Sequence, residues 1–66
     1  MITYKMREQT NRGLLLKTYY RGNYIGESVG YWIGNDTLMV YPSRIYNTPP
    51  AGVELKRRIY IGEVER

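Results

Sequence analysis

The 66-residue sequence contains no cysteine, no histidine and no phenylalanine. Without cysteine and histidine it has neither a disulfide nor the usual zinc ligands, which are the common supports of domains this small. A domain of about this size buries only about 60% of the surface that its unfolded chain exposes. We therefore expect a thin core, and we expect self-association into a homo-oligomer to supply further stability.

The missing residue types also argue against catalysis. Histidine is the most frequent general base and cysteine a frequent nucleophile. Neither Ser28 nor Ser43 lies in a Gly-x-Ser-x-Gly pattern, and no Gly-x-x-x-x-Gly-Lys phosphate loop is present. Apart from Glu63 and Glu65, the six carboxylates fall on separate predicted segments. We predict that the protein is not an enzyme and has no catalytic residues, bound metal or cofactor.

Long apolar runs are absent as well. No stretch approaches the roughly 18 apolar residues that cross a bilayer, and residues 1–8 lack the apolar block of a secretory signal. From these absences we expect a cytoplasmic protein that does not associate with membranes.

The charge balance is basic, with ten Lys and Arg against six Asp and Glu and a net charge of +4. The first 33 residues carry +3 of this charge and the last 33 carry +1. Seven of the ten cations are arginine, which stacks on rings and binds phosphate in a bidentate manner. This composition favours an anionic partner such as a phosphate backbone.

The pattern of apolar residues predicts strands. Tyr, Ile, Val and Thr are abundant, and apolar and polar residues alternate more often than they recur at helical spacing. The first strand runs from Ile2 to a turn at residues 9–13, where Gly13 is expected to take a positive φ. The remaining strands are predicted at residues 14–20, 24–33, 37–41 and 53–64, with Pro42 ending or bending the fourth strand and a single helical turn at residues 42–46.

The predicted fold is a single all-β domain over residues 1–66. Gly26, Gly30 and Gly34 recur every four residues in the third strand, which indicates bends or close backbone approach. Five curved antiparallel strands in so short a chain favour a small, strongly curved barrel of the SH3-like or OB-like kind, because closure removes exposed sheet edges.

Two segments are similar to parts of a known family. Tyr31-Trp32 and the later segment YPSRIY, from Tyr41 to Tyr46, resemble the tryptophan and the Pro-Ser-x-Tyr segment of SH3 domains. The resemblance covers about a quarter of the chain and implies barrel architecture. The Ala-Leu-Tyr-Asp-Tyr segment and acidic loop of that family have no counterpart here, so no proline-peptide binding is inferred.

Basic and aromatic residues alternate on two of the predicted strands. Alternation places Lys17, Tyr19 and Arg21 on one face of the second strand, and the last strand repeats this composition. The predicted nucleic-acid-binding residues are Lys17, Tyr19, Arg21, Lys56, Arg58 and Tyr60. If the two faces are neighbours in space, the cations form an electrostatic track and the tyrosines offer platforms for base stacking.

We therefore predict a small, non-enzymatic nucleic-acid-binding protein. One alternative is a protein-interaction module that regulates or inhibits a larger enzyme, of the type found in phages and mobile elements. A second alternative is an oligomer that binds a small anionic ligand such as a nucleotide between protomers. A competing interpretation of the rings also stands, since in the absence of phenylalanine the eight tyrosines and Trp32 are expected to supply most of the aromatic core.

Overall fold

The computed structural model describes all 66 residues, of which 62% lie in β-strands, and it contains no α-helix. The strands are β1 (Ile2–Gln9), β2 (Gly13–Tyr20), β3 (Asn23–Trp32), β4 (Thr37–Ile45), β5 (Arg57–Tyr60) and β6 (Val64–Glu65), with a 3-10 turn at Ile61–Glu63. The predicted all-β class is confirmed, with six strands instead of five. No helix of the chain has the length and apolar character needed to span a membrane.

All six strands belong to one sheet with the order β5-β4-β3-β2-β1-β6. β1 to β5 form an antiparallel meander, whereas β6 pairs with β1 in parallel, which the prediction of a purely antiparallel barrel did not include. The turn at Ile61–Glu63 carries the chain from β5 at one edge to β6 at the other, so the sheet curls until its edges approach. The resulting half-barrel confirms the predicted strong curvature.

Bulges account for much of this curl. Each of the three long antiparallel pairs contains a register shift, in which Arg7, Ile25 or Ser43 has no partner on the adjacent strand. An unpaired residue of this kind bends its strand and increases the twist. At the second bulge Gly26 has a φ of 148°, and a Cβ there would collide with the carbonyl oxygen of Arg44, so the predicted close backbone approach is found at this glycine.

The positive φ expected at Gly13 is found elsewhere. Gly13 begins β2 outside the left-handed region, and it is glycine because a Cβ would collide with the carbonyl oxygen of Gly30 on β3. Arg21 and Gly22 have φ values of 49° and 81° and form the two-residue turn between β2 and β3. Two consecutive positive φ values match the right-handed twist of a hairpin.

In the second half of the chain the predicted helical turn and the lengths of the last two strands are wrong. Pro42, in contrast, lies at an edge beside the bulge at Ser43, in agreement with the predicted bend at an edge. β4 continues through Pro42 to Ile45, and residues 42–46 do not form a helical turn. β5 pairs with β4 only as far as Val40, so Pro42 lies where β4 is an edge strand and a missing N–H is tolerated. The strand predicted at residues 53–64 is reduced to Arg57–Tyr60, followed by the 3-10 turn.

The core lies on the inner face of the curled sheet and is mainly aliphatic. Its nine buried residues are Ile2, Tyr4, Leu14, Leu16, Ile25, Leu38, Val40, Ile59 and Val64. Tyr4 is the only tyrosine among them, so the interpretation of the tyrosines as core is wrong for most of the eight. Trp32 packs against this cluster, as expected. In its centre the hydroxyls of Thr18 and Ser28 form a fully buried hydrogen bond of 2.7 Å.

Candidate functional site

The outer face of the sheet, opposite the core, carries two members of each predicted group of side chains. On β2, Lys17 and Tyr19 alternate with buried residues, and on β5 Arg58 and Tyr60 flank the buried Ile59. Paired residues on adjacent strands point to the same side of a sheet. Following the pairs from β2 through β3 and β4 to β5 places the two groups on the same face.

The two groups are not neighbours, however. β3 and β4 lie between β2 and β5, which separates these strands by roughly 14 Å along the sheet. Tyr19 pairs with Tyr24 next to the β2–β3 turn, whereas Tyr60 pairs with Thr37 at the opposite end of the sheet. The prediction that strands two and five form a single track is therefore wrong, and β3 and β4 supply the surface between them.

Arg21 and Lys56 lie in separate places outside the strands. Arg21 lies in the β2–β3 turn, with its guanidinium carbon 5.6 Å from the centre of the Tyr20 ring. Lys56 precedes β5 and places its Nζ 5.4 Å from the centre of the Tyr41 ring. Tyr20 packs against the core on the inner face, whereas Tyr41 belongs to the outer face, so only Lys56 borders the outer face.

Three tyrosines form what we term the first tyrosine cluster: Tyr19, Tyr24 and Tyr46. The rings of Tyr19 and Tyr24 meet edge to face with centroids 5.7 Å apart, and the Tyr46 centroid is 6.4 Å from that of Tyr24. Tyr46 follows β4 directly, and its backbone N–H donates to the carbonyl of Ile25 at 2.8 Å. Tyr24 and Tyr46 are 42% and 61% exposed, so this cluster presents aromatic surface to a ligand.

The second tyrosine cluster consists of Tyr31 on β3 and Tyr41 on β4. Their rings meet edge to face with centroids 5.9 Å apart, and Lys56 lies over Tyr41. Around the two rings the outer face is apolar, and the half-buried side chains there are Leu15, Val29 and Met39. This end of the face combines aromatic and aliphatic surface with Lys56 over the Tyr41 ring. Two further cations lie nearby: Arg58, the partner of Met39, and Arg12, beside Tyr31.

A line of charged residues crosses the sheet between the clusters. Lys5, Lys17, Glu27 and Arg44 are consecutive cross-strand partners on β1 to β4. We term the three cations of this line the basic row. Two acids adjoin these cations: Glu27, within the line, and Glu65 on β6, which is the other partner of Lys5. The Glu27 carboxylate forms an ion pair with Arg7, whose Nε atom is 3.7 Å away. Its charge is therefore partly balanced from within the same face.

The hydroxyl of Tyr24 has a perturbed acidity. Its neighbours shield the group from water and thereby raise its pKa above the usual value of 10.0, and the negative charge of Glu27 raises it further. Tyrosine is neutral at physiological pH even at its usual pKa, and the raised pKa extends the neutral range of Tyr24 to higher pH. Tyr24 therefore keeps an O–H donor and adds no negative charge to the basic row.

Shallow depressions lie beside the rings. One of about 300 Å³ is lined by Thr3, Lys5, Tyr19, Gly22 and Glu65, and lies next to the first tyrosine cluster. Another of about 440 Å³ includes Arg12, Leu15, Val29 and Tyr31 and adjoins the second cluster. No three or more Asp, Glu, Cys or His side chains converge in the structure as a metal site would require.

Several residues of this surface escaped the sequence prediction. Tyr24, Tyr31, Tyr41 and Tyr46 belong to the two clusters, and Lys5 and Arg44 belong to the basic row. The alternation in the first strand contained a signal for Lys5. For Tyr24 and Arg44 the signal was hidden, because the bulges at Ile25 and Ser43 shift the alternation of β3 and β4 by one residue.

Comparison of the chain with protein-family models, curated proteins and solved structures finds no match. The functional argument therefore depends on the geometry and chemistry of the outer face.

Proposed function

We propose that the protein binds nucleic acid through the outer face of its sheet and acts as a non-enzymatic, self-associating cytoplasmic protein. The observation that carries this proposal is the continuity of exposed tyrosine rings and cations across one face. Exposed rings can stack on bases, and cations that flank them can contact phosphates. Of the residues predicted from the sequence, Lys17, Tyr19 and Arg58 lie within this surface, and Lys56 and Tyr60 lie at its margins. Arg21 lies over Tyr20 on the core-facing side of β2 and is not part of it.

The pairing of Lys5 with Lys17 supports an anionic partner. The two lysines are directly opposite each other on β1 and β2. Like charges in directly opposed positions destabilise a sheet. Glu65 and Glu27, the partners of these lysines on β6 and β3, offset part of this repulsion. An anionic ligand over the basic row would offset the rest, and a phosphate backbone supplies such charge at regular intervals.

The expected interaction energies indicate that a single protomer binds nucleic acid with moderate affinity. Stacking of one base on a protein ring contributes about 1–3 kcal/mol, and each neutralised phosphate adds a salt-dependent increment. Two tyrosine clusters and three cations therefore support measurable binding. Self-association would present the surface more than once and strengthen binding through linkage of the sites.

The test is a binding titration of labelled single- and double-stranded oligonucleotides at several salt concentrations. Affinity should fall steeply as salt rises. Lys17→Glu and Arg58→Glu should each weaken binding and reduce the salt slope by about one or more. Arg66→Glu changes the net charge by the same amount at the exposed chain end and is the matched control. It should change the affinity and the salt slope much less. A mononucleotide carries phosphate without a chain. Binding of a mononucleotide as tight as that of an oligonucleotide would favour the small-ligand alternative.

One observation favours a second candidate, a protein-interaction module. The apolar surroundings of the second tyrosine cluster, with Leu15, Val29 and Met39, resemble the core of a protein interface more than a phosphate-binding surface. Tyrosine and arginine also dominate hot spots between proteins. Absent or salt-insensitive oligonucleotide binding would contradict the nucleic-acid proposal and favour this candidate, which would include a regulator or inhibitor of a larger enzyme.

A further inference from the structure

We infer that the ligand is a single strand of about four to six nucleotides that runs from the first tyrosine cluster across the basic row to the second cluster. This inference rests on the proposed function and narrows it to one form of nucleic acid and one direction across the sheet. The direction follows from the order of the surface along β3, where Tyr24 precedes Glu27 and its neighbouring cations, and Tyr31 follows.

The exposed rings favour a single strand over a duplex. In a duplex the bases are already stacked and paired, so tyrosine rings can stack only on bases that are unpaired or at an end. The chain also has no α-helix to enter a major groove. Five rings on an outer face would then contribute little to duplex binding, whereas each cluster can hold a base of a flexible strand.

The curvature of the sheet also favours a single strand over a duplex. The sheet is strongly curled, and the proposed surface is its convex side. A rigid duplex meets a convex surface over a short length and brings few phosphates within reach of the basic row. A flexible strand can follow the curve and keep phosphates over Lys5, Lys17 and Arg44.

The length of the site follows from strand geometry. Tyr24 and Tyr31 are seven residues apart in β3, and one residue of this segment is taken up by the bulge at Ile25. The remaining steps of about 3.3 Å separate the two positions by roughly 20 Å. About six nucleotides stacked at a spacing of about 3.4 Å cover that distance, and a more extended nucleic-acid strand needs fewer nucleotides.

The charge between the clusters is compatible with this path. Glu27 lies midway and would repel phosphates, but Arg7 pairs with it from β1 across β2. The basic row flanks Glu27 on both sides, with Lys17 on β2 and Arg44 on β4. The net charge of the crossing is therefore positive, as a strand that brings phosphates across it requires.

A length series tests the inference directly. Labelled oligothymidylates and oligouridylates of two to ten nucleotides should bind more tightly with each added nucleotide up to about four to six, and gain little beyond that. A hairpin duplex of the same charge should bind at least about tenfold more weakly at equal salt. Equal or tighter duplex binding that remains sensitive to Lys17→Glu would overturn the single-strand inference and leave the proposed function standing, whereas absence of all oligonucleotide binding would remove both.

Ring substitutions in the two clusters sharpen the test. Tyr24→Leu and Tyr31→Leu should each weaken the binding of an eight-nucleotide strand by about tenfold, while Tyr24→Phe and Tyr31→Phe, which keep the ring, should weaken it far less. A two-nucleotide strand reaches one cluster at a time, so each single Leu variant should weaken its binding by only about twofold. Equal losses for short and long strands would contradict a path that joins the clusters. Both rings are exposed, so the variants are expected to fold. Circular dichroism of each variant checks this.

Discussion

The two faces of this sheet use the same alternating strands for different purposes. The inner face is aliphatic, and its two central polar groups, Thr18 and Ser28, satisfy each other. The outer face carries five rings in two clusters, together with opposed cations that do not stabilise the sheet. Tyrosine is a good strand residue, but in this protein most tyrosines lie on the exposed outer face and not in the core. We expect inner-face substitutions to change the free energy of unfolding and outer-face substitutions to change binding.

The largest change in the free energy of unfolding is expected when a buried residue of β4 is truncated to alanine. Its neighbour in β4, which points to the opposite face, provides the comparison. Leu38 is fully buried and Met39 lies on the outer face. Leu38→Ala should lower the free energy of unfolding by about 2–5 kcal/mol, because it leaves a cavity in a thin core. Met39→Ala should lower it by less than about 1 kcal/mol. Urea denaturation of both variants checks this, and similar losses would show that the outer face is also a core, for instance inside an oligomer.

The next effect concerns the bulge that turns Tyr24 outward. Gly26→Ala introduces a Cβ against the carbonyl of Arg44 at a φ of 148°, which should cost about 1–3 kcal/mol from backbone strain alone. Gly30→Ala is the matched control, because a Cβ there meets only ordinary contacts at 3.5 Å. Thermal unfolding measures both variants. A fully stable Gly26→Ala protein would contradict the conformation assigned to this bulge.

A smaller effect is expected at the polar pair in the core. Thr18→Val removes one partner and leaves the buried Ser28 hydroxyl unsatisfied, which should cost about 1–3 kcal/mol. Adding Ser28→Ala removes the unsatisfied group, so the double variant should lose less than the sum of the two single losses. A double-mutant cycle by urea denaturation measures this coupling, and strict additivity would argue that the two hydroxyls do not interact.

Tyr4 gives a prediction that depends on pH. Its hydroxyl is buried without a hydrogen-bond partner, and burial raises its pKa although the charge of Arg57 opposes the rise. The Arg57 guanidinium donates instead to the carbonyl of Ile2 at 3.3 Å. Tyr4→Phe removes this unsatisfied group and should therefore leave stability at neutral pH unchanged or raise it by up to about 1–3 kcal/mol.

The sign of the pH effect follows from the direction of the shift. A pKa raised in the folded state gives stability that is complete below the unfolded value of about 10 and is lost as pH rises through the folded value. The native protein should therefore lose more stability than Tyr4→Phe between about pH 9 and about pH 11. Parallel pH profiles from chemical denaturation would contradict the burial of this hydroxyl.

The smallest change in stability should come from the acid of the outer face. Glu27→Gln removes a surface ion pair with Arg7, which should alter the free energy of unfolding by no more than about 0.5 kcal/mol. At low salt it should strengthen oligonucleotide binding by about two- to threefold, because it removes a negative charge beside the basic row. Unchanged or weaker binding would argue that the ligand does not cross this line.

Local composition and alternation in the sequence were sufficient to predict the all-β class, the short connection between β2 and β3 and the faces of β2 and β5, because side chains alternate along a strand whatever its neighbours are. The sequence also identified Lys17, Tyr19 and Arg58 as outward-facing. It could not determine which strands lie side by side, because that depends on the order of the sheet and on the edge-to-edge crossing at Ile61–Glu63.

Only the tertiary structure decided the positions of Tyr24 and Arg44. Their orientation depends on the bulges at Ile25 and Ser43, which are set by the register of β3 against β2 and of β4 against β3. The same contacts explain why Pro42 is accepted in β4 and why Gly13 must be glycine. Contacts between distant parts of a chain set these features, whereas local alternation sets only which residues can share a face.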